Sequence, residues 1–174
     1  MEREKGMTNE AFEAFYLKHY KFVYRIAYSY MKEPHDAEDV TEDVFVKVLT
    51  GSFSFESEEH ERSWLALTTM NLCKDVLKSA WRKRVGSLED LENEPESPES
   101  KAVGESDTME AVQKLPPKYK EVIILFYYMG YKTDEIAEKL GKPPSTIRNL
   151  LADARKKLKA MIGDARRKKD PITI

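Results

Sequence analysis

Ser145, Thr146, Arg148, Asn149, Ala152 and Arg155 have types and spacing suited to reading a DNA duplex. An arginine can donate two hydrogen bonds to guanine, an asparagine can pair with adenine, and serine or threonine can reach phosphates. If the stretch is helical, these residues lie on or near the outer face. Ile147, Leu150, Leu151, Ala154 and Leu158 then form the inward stripe. Asp153 also falls among the outward residues, and a carboxylate near phosphates is repelled. A helical hairpin with a solvated polar face is the alternative for this stretch taken alone.

The elements that would position those side chains are legible around them. Thr133 is an N-cap candidate, and Ile136, Ala137 and Leu140 share one helical face. Gly141 stands where a helix end favours positive φ, Lys142, Pro143 and Pro144 make the turn, and a proline can open the next helix. The stretch from Thr133 to Leu158 therefore predicts a helix-turn-helix, whose second helix meets base edges with its N-terminal part. Before it, Leu115-Pro116-Pro117 stops one helix and starts another. Tyr119 to Met129 (YKEVIILFYYM) is nearly all apolar but too short to cross a membrane, so it predicts a central core helix closed by Gly130. After it, Arg155 to Lys169 is strongly basic, which beside a DNA-reading helix suits phosphate contact.

A second group of candidates lies near the N-terminus. The segment Asp36 to Leu49 predicts a helix capped by Asp36, with Ala37, Val40, Val44 and Val48 inward. Glu38, Asp39, Glu42 and Asp43 make its outer surface acidic, with Phe45 nearby. A solvated charged face is the default, but an exposed phenylalanine beside that many carboxylates also suits docking onto a basic partner. Asn9 to Met31 predicts an aromatic-rich core helix with Asn9 as its N-cap candidate, ending before Pro34. Gly51 to Arg62 reads as a loop with two aromatics, Phe53 and Phe55. Glu61 to Arg84 reads as a long helix with Trp64, Leu65, Thr68, Leu72 and Val76 as its apolar stripe and a basic end, KSAWRKR.

Composition narrows the function classes. The 174 residues are 41% hydrophobic and 34% charged, with a net charge of -2, so any DNA contact must come from local basic patches. The single cysteine, Cys73, excludes an intramolecular disulfide and a cysteine-based zinc site. His19, His35 and His60 are scattered, and the carboxylates of Asp36, Asp39 and Glu42 form no convincing ligand set. No phosphate-cradling glycine loop is present, so neither a metal, a cofactor nor an enzymatic activity is expected. No apolar run reaches spanning length and the N-terminus is charged, which predicts a cytoplasmic protein making no membrane contact by itself. Val85 to Asp107 is acidic, rich in serine and proline and poor in large apolar residues, the composition of a flexible linker.

Taken together, the segments resemble the sigma-70 family of bacterial transcription initiation factors, in its small two-domain ECF (extracytoplasmic function) group. DAEDVTEDVFVKV resembles the family's polymerase-docking helix. SFSFESEEHERSWLALTTMNLCKDVLKSAWRKR resembles its promoter-melting segment, and LPPKYKEVIILFYYMGYKTDEIAEKLGKPPSTIRNLLADARKKLK its second DNA-binding domain. The fold expected is all-α: residues 1–86 as sigma domain two, 87–107 as the acidic linker, and 108–169 as sigma domain four with the helix-turn-helix.

The resemblance implies roles by position. Asp39, Glu42, Asp43 and Phe45 would dock on the coiled coil of the polymerase clamp. Phe55 and Asn71 would hold a flipped base of the upstream melted element, with Lys74, Lys78, Arg82, Lys83 and Arg84 along the strand. Arg148 and Asn149 would contact bases of the distal element, with Ser145, Thr146 and Arg155 on phosphates. The implied partners are core RNA polymerase, promoter DNA and an anti-sigma factor. Leu150 and Asp153 stand where the family usually has basic or polar residues, and Ala152 is smaller than usual, so this recognition helix is less cationic than its counterparts. The loop around Glu56, Glu58 and Glu59 is also acidic for a DNA-facing segment. A sigma-like regulator that no longer binds polymerase is the alternative, and the acidic docking helix speaks against it.

Overall fold

The computed structural model describes residues 7–51, 54–85 and 107–169. Every element among them is helical: α1 (Asn9–Met31), α2 (Pro34–Thr50), α3 (Glu58–Val85), α4 (Asp107–Lys114), α5 (Pro117–Ile123, continued by a π-helical turn over Ile124–Tyr128), α6 (Thr133–Leu140) and α7 (Pro144–Lys169). The chain divides into two compact units, Met1–Asp90 and Leu91–Ile174. Most of the expected linker, together with Phe53, lies outside the described residues.

In the first unit α1, α2 and α3 pack on one another. Of the α1 stripe that helical spacing predicts (Phe12, Phe15, His19, Val23, Ile26, Ala27 and Tyr30) all but the half-buried Phe12 are buried, as is that of α2 (Ala37, Val40, Val44 and Val48). Removing each large apolar side chain from water contributes roughly 1.5–3 kcal/mol. The stripe of α3 differs from the expected one. Leu65, Ala66, Thr69, Met70 and Cys73 are buried, whereas Val76 is exposed. Leu65 and Met70 fill the inward face together with the small Ala66, Thr69 and Cys73, so the side of α3 that meets α1 and α2 is rotated from the stripe expected.

The helix starts also shift from their expected positions. Thr8, not Asn9, caps α1, its Oγ1 accepting from the Ala11 amide at 3.2 Å. Pro34 opens α2 as its first residue and Asp36 lies in the first turn. Pro34 has no amide to leave unpaired there, and Asp36 still faces the positive end of the helix dipole.

In the second unit α7 packs against α4, α5 and α6. The apolar run expected as one core helix is only partly inside. Val122, Ile123, Ile124 and Leu125 are buried, whereas Tyr127 and Tyr128 face solvent. The π turn, closed by the Met129 amide on the Ile124 carbonyl at 3.0 Å, widens the helix and re-aims those side chains. Gly130 at φ 75 then lets the chain turn so that Tyr131 re-enters the core.

Candidate docking and nucleic-acid interfaces

The helix-turn-helix is assembled by its turn. Thr133 is the first residue of α6 rather than its cap; the preceding Lys132 amide donates to the Glu135 carboxylate at 3.3 Å. Gly141 ends α6 at φ 64. The Lys142 amide donates to the Ala137 carbonyl at 3.0 Å and the Gly141 amide to Glu138 at 3.4 Å, the paired bonds of a Schellman motif. Pro144 begins α7, with Ile147, Leu151 and Ala154 buried beneath it. Ser145, Arg148, Asn149, Ala152 and Arg155 are exposed and Thr146 is half-buried, so the six reading candidates share the accessible side of one helix. Asp153 is exposed among them.

Arg155 is more constrained than a solvated arginine. Its Nε donates to the Tyr127 Oη at 2.7 Å, and its guanidinium lies 5.2 Å from the Phe126 ring centroid and 5.6 Å from that of Tyr127. The tyrosine that the π turn pushes outward therefore steers a side chain of the reading helix. Nearby, Lys118 and Lys157 both lie over the Tyr119 ring, at 5.0 Å and 5.5 Å. Sequence spacing along a single helix does not reveal such pairings.

In the first unit, Glu38, Asp39, Glu42 and Asp43 are all exposed on α2. Phe45, expected to be exposed beside them, is 2% accessible. It packs edge-on against Phe12, Phe15 and Tyr16, with centroids 6.5 Å, 6.2 Å and 4.8 Å away. The aromatic side of α1 closes over it, so Phe45 supports the acidic face from below and is not part of its surface. The exposed apolar residues of α2 are Val46 and Leu49, at 53% and 45%. Asp39, Glu42, Val46 and Leu49 follow one another at steps of three and four, which makes a stripe acidic at one end and apolar at the other. Four tyrosines of α1 line up alongside, Tyr16 tilted against Tyr20, and Tyr20, Tyr24 and Tyr28 stacked in sequence. Burial, then Tyr16, then Glu38 and Glu42 raise the Tyr20 hydroxyl above its usual pKa.

The candidate strand-holding face lies on α3. Asn71, Lys78, Arg82 and Lys83 are exposed and Lys74 is half-buried. The steps from Asn71 to Lys74, Lys78 and Arg82 keep those four on one side of the helix. The Arg84 side chain lies outside the described residues. Phe55 is half-buried at the N-terminal end of α3, stacked on Phe15 at 5.9 Å and edge-on to Trp64 at 5.7 Å. Trp64 stands two turns before Asn71 on the same side, so the ring and the amide belong to one surface.

The acidic start of α3 is largely turned to internal use. Glu58 pairs with Lys18 of α1 at 3.1 Å. The Glu61 carboxylate meets His19 Nε2 at 3.0 Å, with Lys18 at 3.9 Å. The hydrogen bond from Lys18, and then its charge, lower the Glu58 carboxyl below its usual pKa. Part of the negative charge that seemed ill-placed near DNA thus fastens α3 to α1. Among the described residues, no cluster of three or more histidines, cysteines or carboxylates could hold a metal, and no helix is long and apolar enough to cross a membrane.

Comparison with known proteins converges on the same two units. Residues 15–83 match the family model for sigma-70 region 2, and residues 106–158 match that for sigma-70 region 4. The chain is 30% identical over 149 residues to the ECF RNA polymerase sigma factor SigE of Mycolicibacterium smegmatis, covering 82% of this chain but 58% of that relative. It is 29% identical over 144 residues to the RNA polymerase sigma factor SigV of Bacillus subtilis, covering 83% of this chain and 86% of that one. Its fold is similar to that of the sigma factor RpoE of Bartonella quintana, solved in complex with the anti-sigma factor NepR. The TM-score is 0.60 at 22% identity, over 87% of this chain and 96% of that one. Two family regions in their expected order, carried by two helical units with a helix-turn-helix in the second, make this chain a member of the sigma-70 family, similar to sigma factors of the ECF group.

Proposed function

We propose that the chain is the promoter-specificity subunit of an RNA polymerase, acting in the cytoplasm and catalysing no reaction itself. Residues 1–86 dock on core polymerase and hold melted DNA, 87–107 tether, and 108–169 read the distal promoter element. The docking surface is the α2 stripe of Asp39, Glu42, Asp43, Val46 and Leu49, with Phe45 as its internal support. Phe55 and Asn71 hold an unpaired base, the ring by stacking and the amide along the base edge. Lys74, Lys78, Arg82, Lys83 and Arg84 follow the strand. Arg148 and Asn149 read bases, with Ser145, Thr146, Ala152 and Arg155 alongside.

The observation that carries this reading is the opposition of charge within one small unit: exposed carboxylates on α2 and exposed cations along α3. The first suits a basic protein partner and the second a phosphate backbone. Trapped bases offset an unstacking cost on the order of a few kcal/mol. Polymerase holds both DNA-binding units near the promoter and raises their effective concentration, which suits a protein with net charge -2. An anti-sigma partner, of the kind that the Bartonella relative binds, would regulate the protein by covering these faces.

Transcription from a genomic promoter library with purified core polymerase tests the reading. Added protein is expected to start specific transcripts, and Asp39→Arg with Glu42→Arg is expected to abolish them together with polymerase capture. Failure of both wild type and variant to capture polymerase would favour the regulator that keeps only the DNA-binding fold.

A further inference from the structure

We infer that His60 is a positioning residue for Phe55, setting the approach of that ring to a melted base. The inference rests on the reading of Phe55 as a base-holding ring. His60 is the third residue of α3 and Ser57 precedes the helix. The His60 amide donates to Ser57 Oγ at 3.0 Å, and the Glu56 amide donates back to His60 Nδ1 at 3.1 Å. The Glu61 amide closes the first turn on the Ser57 carbonyl at 3.0 Å. This is a reciprocal cap in which an imidazole replaces the usual Glu or Gln and reaches one residue further back.

That extra residue matters, because the Glu56 amide belongs to the peptide plane directly following Phe55. Holding the plane sets the backbone from which the Phe55 side chain departs. The imidazole also meets the Phe55 ring edge-on, with centroids 5.5 Å apart at 80°. One side chain thus fixes both the ring and the backbone beneath it. A ring held before the base arrives loses less conformational freedom on binding, so the melted state is favoured.

Asparagine provides the discriminating substitution, because its Oδ1 is the same number of bonds from the backbone as His60 Nδ1 and can accept from the Glu56 amide. Holoenzyme assembled with each variant would be scored for promoter opening by permanganate reactivity of unpaired thymines. His60→Ala is expected to lower the opened fraction about five-fold, the size set by one lost hydrogen bond. His60→Asn is expected to restore most of it, with polymerase capture and thermal unfolding of both variants close to wild type. Phe55→Ala, run in parallel, is expected to open promoters poorly.

A His60→Ala protein that opens promoters normally while Phe55→Ala does not would overturn the inference and leave the base-holding role of Phe55 standing. So would a His60→Asn protein as impaired as His60→Ala, or a defect that tracks a lowered melting temperature. Normal opening by Phe55→Ala would overturn the base-holding reading and the inference with it.

Discussion

Arg155 Nε donates to Tyr127 Oη at 2.7 Å, joining the reading helix α7 to the π turn that follows α5. Arg155 lies seven residues after Arg148, on the same side of α7, so this bond fixes a cation at the far end of the reading surface. With Nε engaged, the Nη groups are the donors left to meet a phosphate. Tyr127→Phe keeps the ring and loses the bond. It is expected to weaken distal-element binding by about two- to ten-fold, the range of a single net hydrogen bond. Arg155→Ala is expected to reduce the salt dependence of binding by about one phosphate contact. Fluorescence anisotropy over a salt series measures both, and an unchanged slope for Arg155→Ala would remove Arg155 from the backbone contacts.

Arg148 is expected to act on sequence preference instead. Its exposed position near the start of α7 is where a helix-turn-helix meets base edges. Arg148→Ala should cost about 1–3 kcal/mol at the cognate site and relax selectivity at one position. Binding to a set of single-base promoter variants checks this. Equal responses of wild type and variant across that set would refute the role.

The burial of Phe45 separates docking from stability on α2. Phe45→Ala is expected to destabilise the first unit by about 3–5 kcal/mol, as for a large aromatic removed from a packed core. Val46→Asp and Leu49→Asp, at exposed positions, are expected to leave unfolding nearly unchanged and to weaken polymerase capture. Denaturation curves and pull-down with core polymerase on the same samples distinguish the two patterns.

Gly141 is a pure backbone test. Its φ is 64, and an added Cβ would meet nothing within 4 Å. Gly141→Ala should therefore cost only the left-handed penalty, about 1–2 kcal/mol. Gly141→Asn should cost less, since asparagine tolerates that region. Thermal unfolding of the second unit measures both, and equal stability of glycine and alanine there would contradict the turn geometry.

The Lys18–Glu58 pair predicts a pH effect of known sign. Folding lowers the Glu58 pKa below its ordinary value of 4.5, so the folded state favours the ionised carboxylate. The contribution is present above pH 4.5 and is lost as pH falls through the lowered folded value. The pair is exposed, so the effect is small and salt should weaken it. Comparing Glu58→Gln with wild type in acid unfolding should show a shallower loss of stability in the variant over that window.

Periodicity alone determined a large share of this protein. The stripes of α1, α2 and α7, the Gly141 turn and the Pro144 start are local features, set by helical spacing and by the backbone preferences of two residue types. The order of the family-like segments was legible for the same reason, because each motif sits within one helix or one loop. Tertiary packing decided which similar side chains ended inside. Phe45 is buried because α1 brings three aromatics over it, and the inward stripe of α3 mixes Leu65 and Met70 with Ala66, Thr69 and Cys73 because that is the side that meets α1 and α2. The π turn that exposes Tyr127 and the bond from Arg155, 28 residues later in the chain, are likewise matters of packing. Contacts between distant segments depend on how faces meet, and a single strip of sequence carries only the face itself.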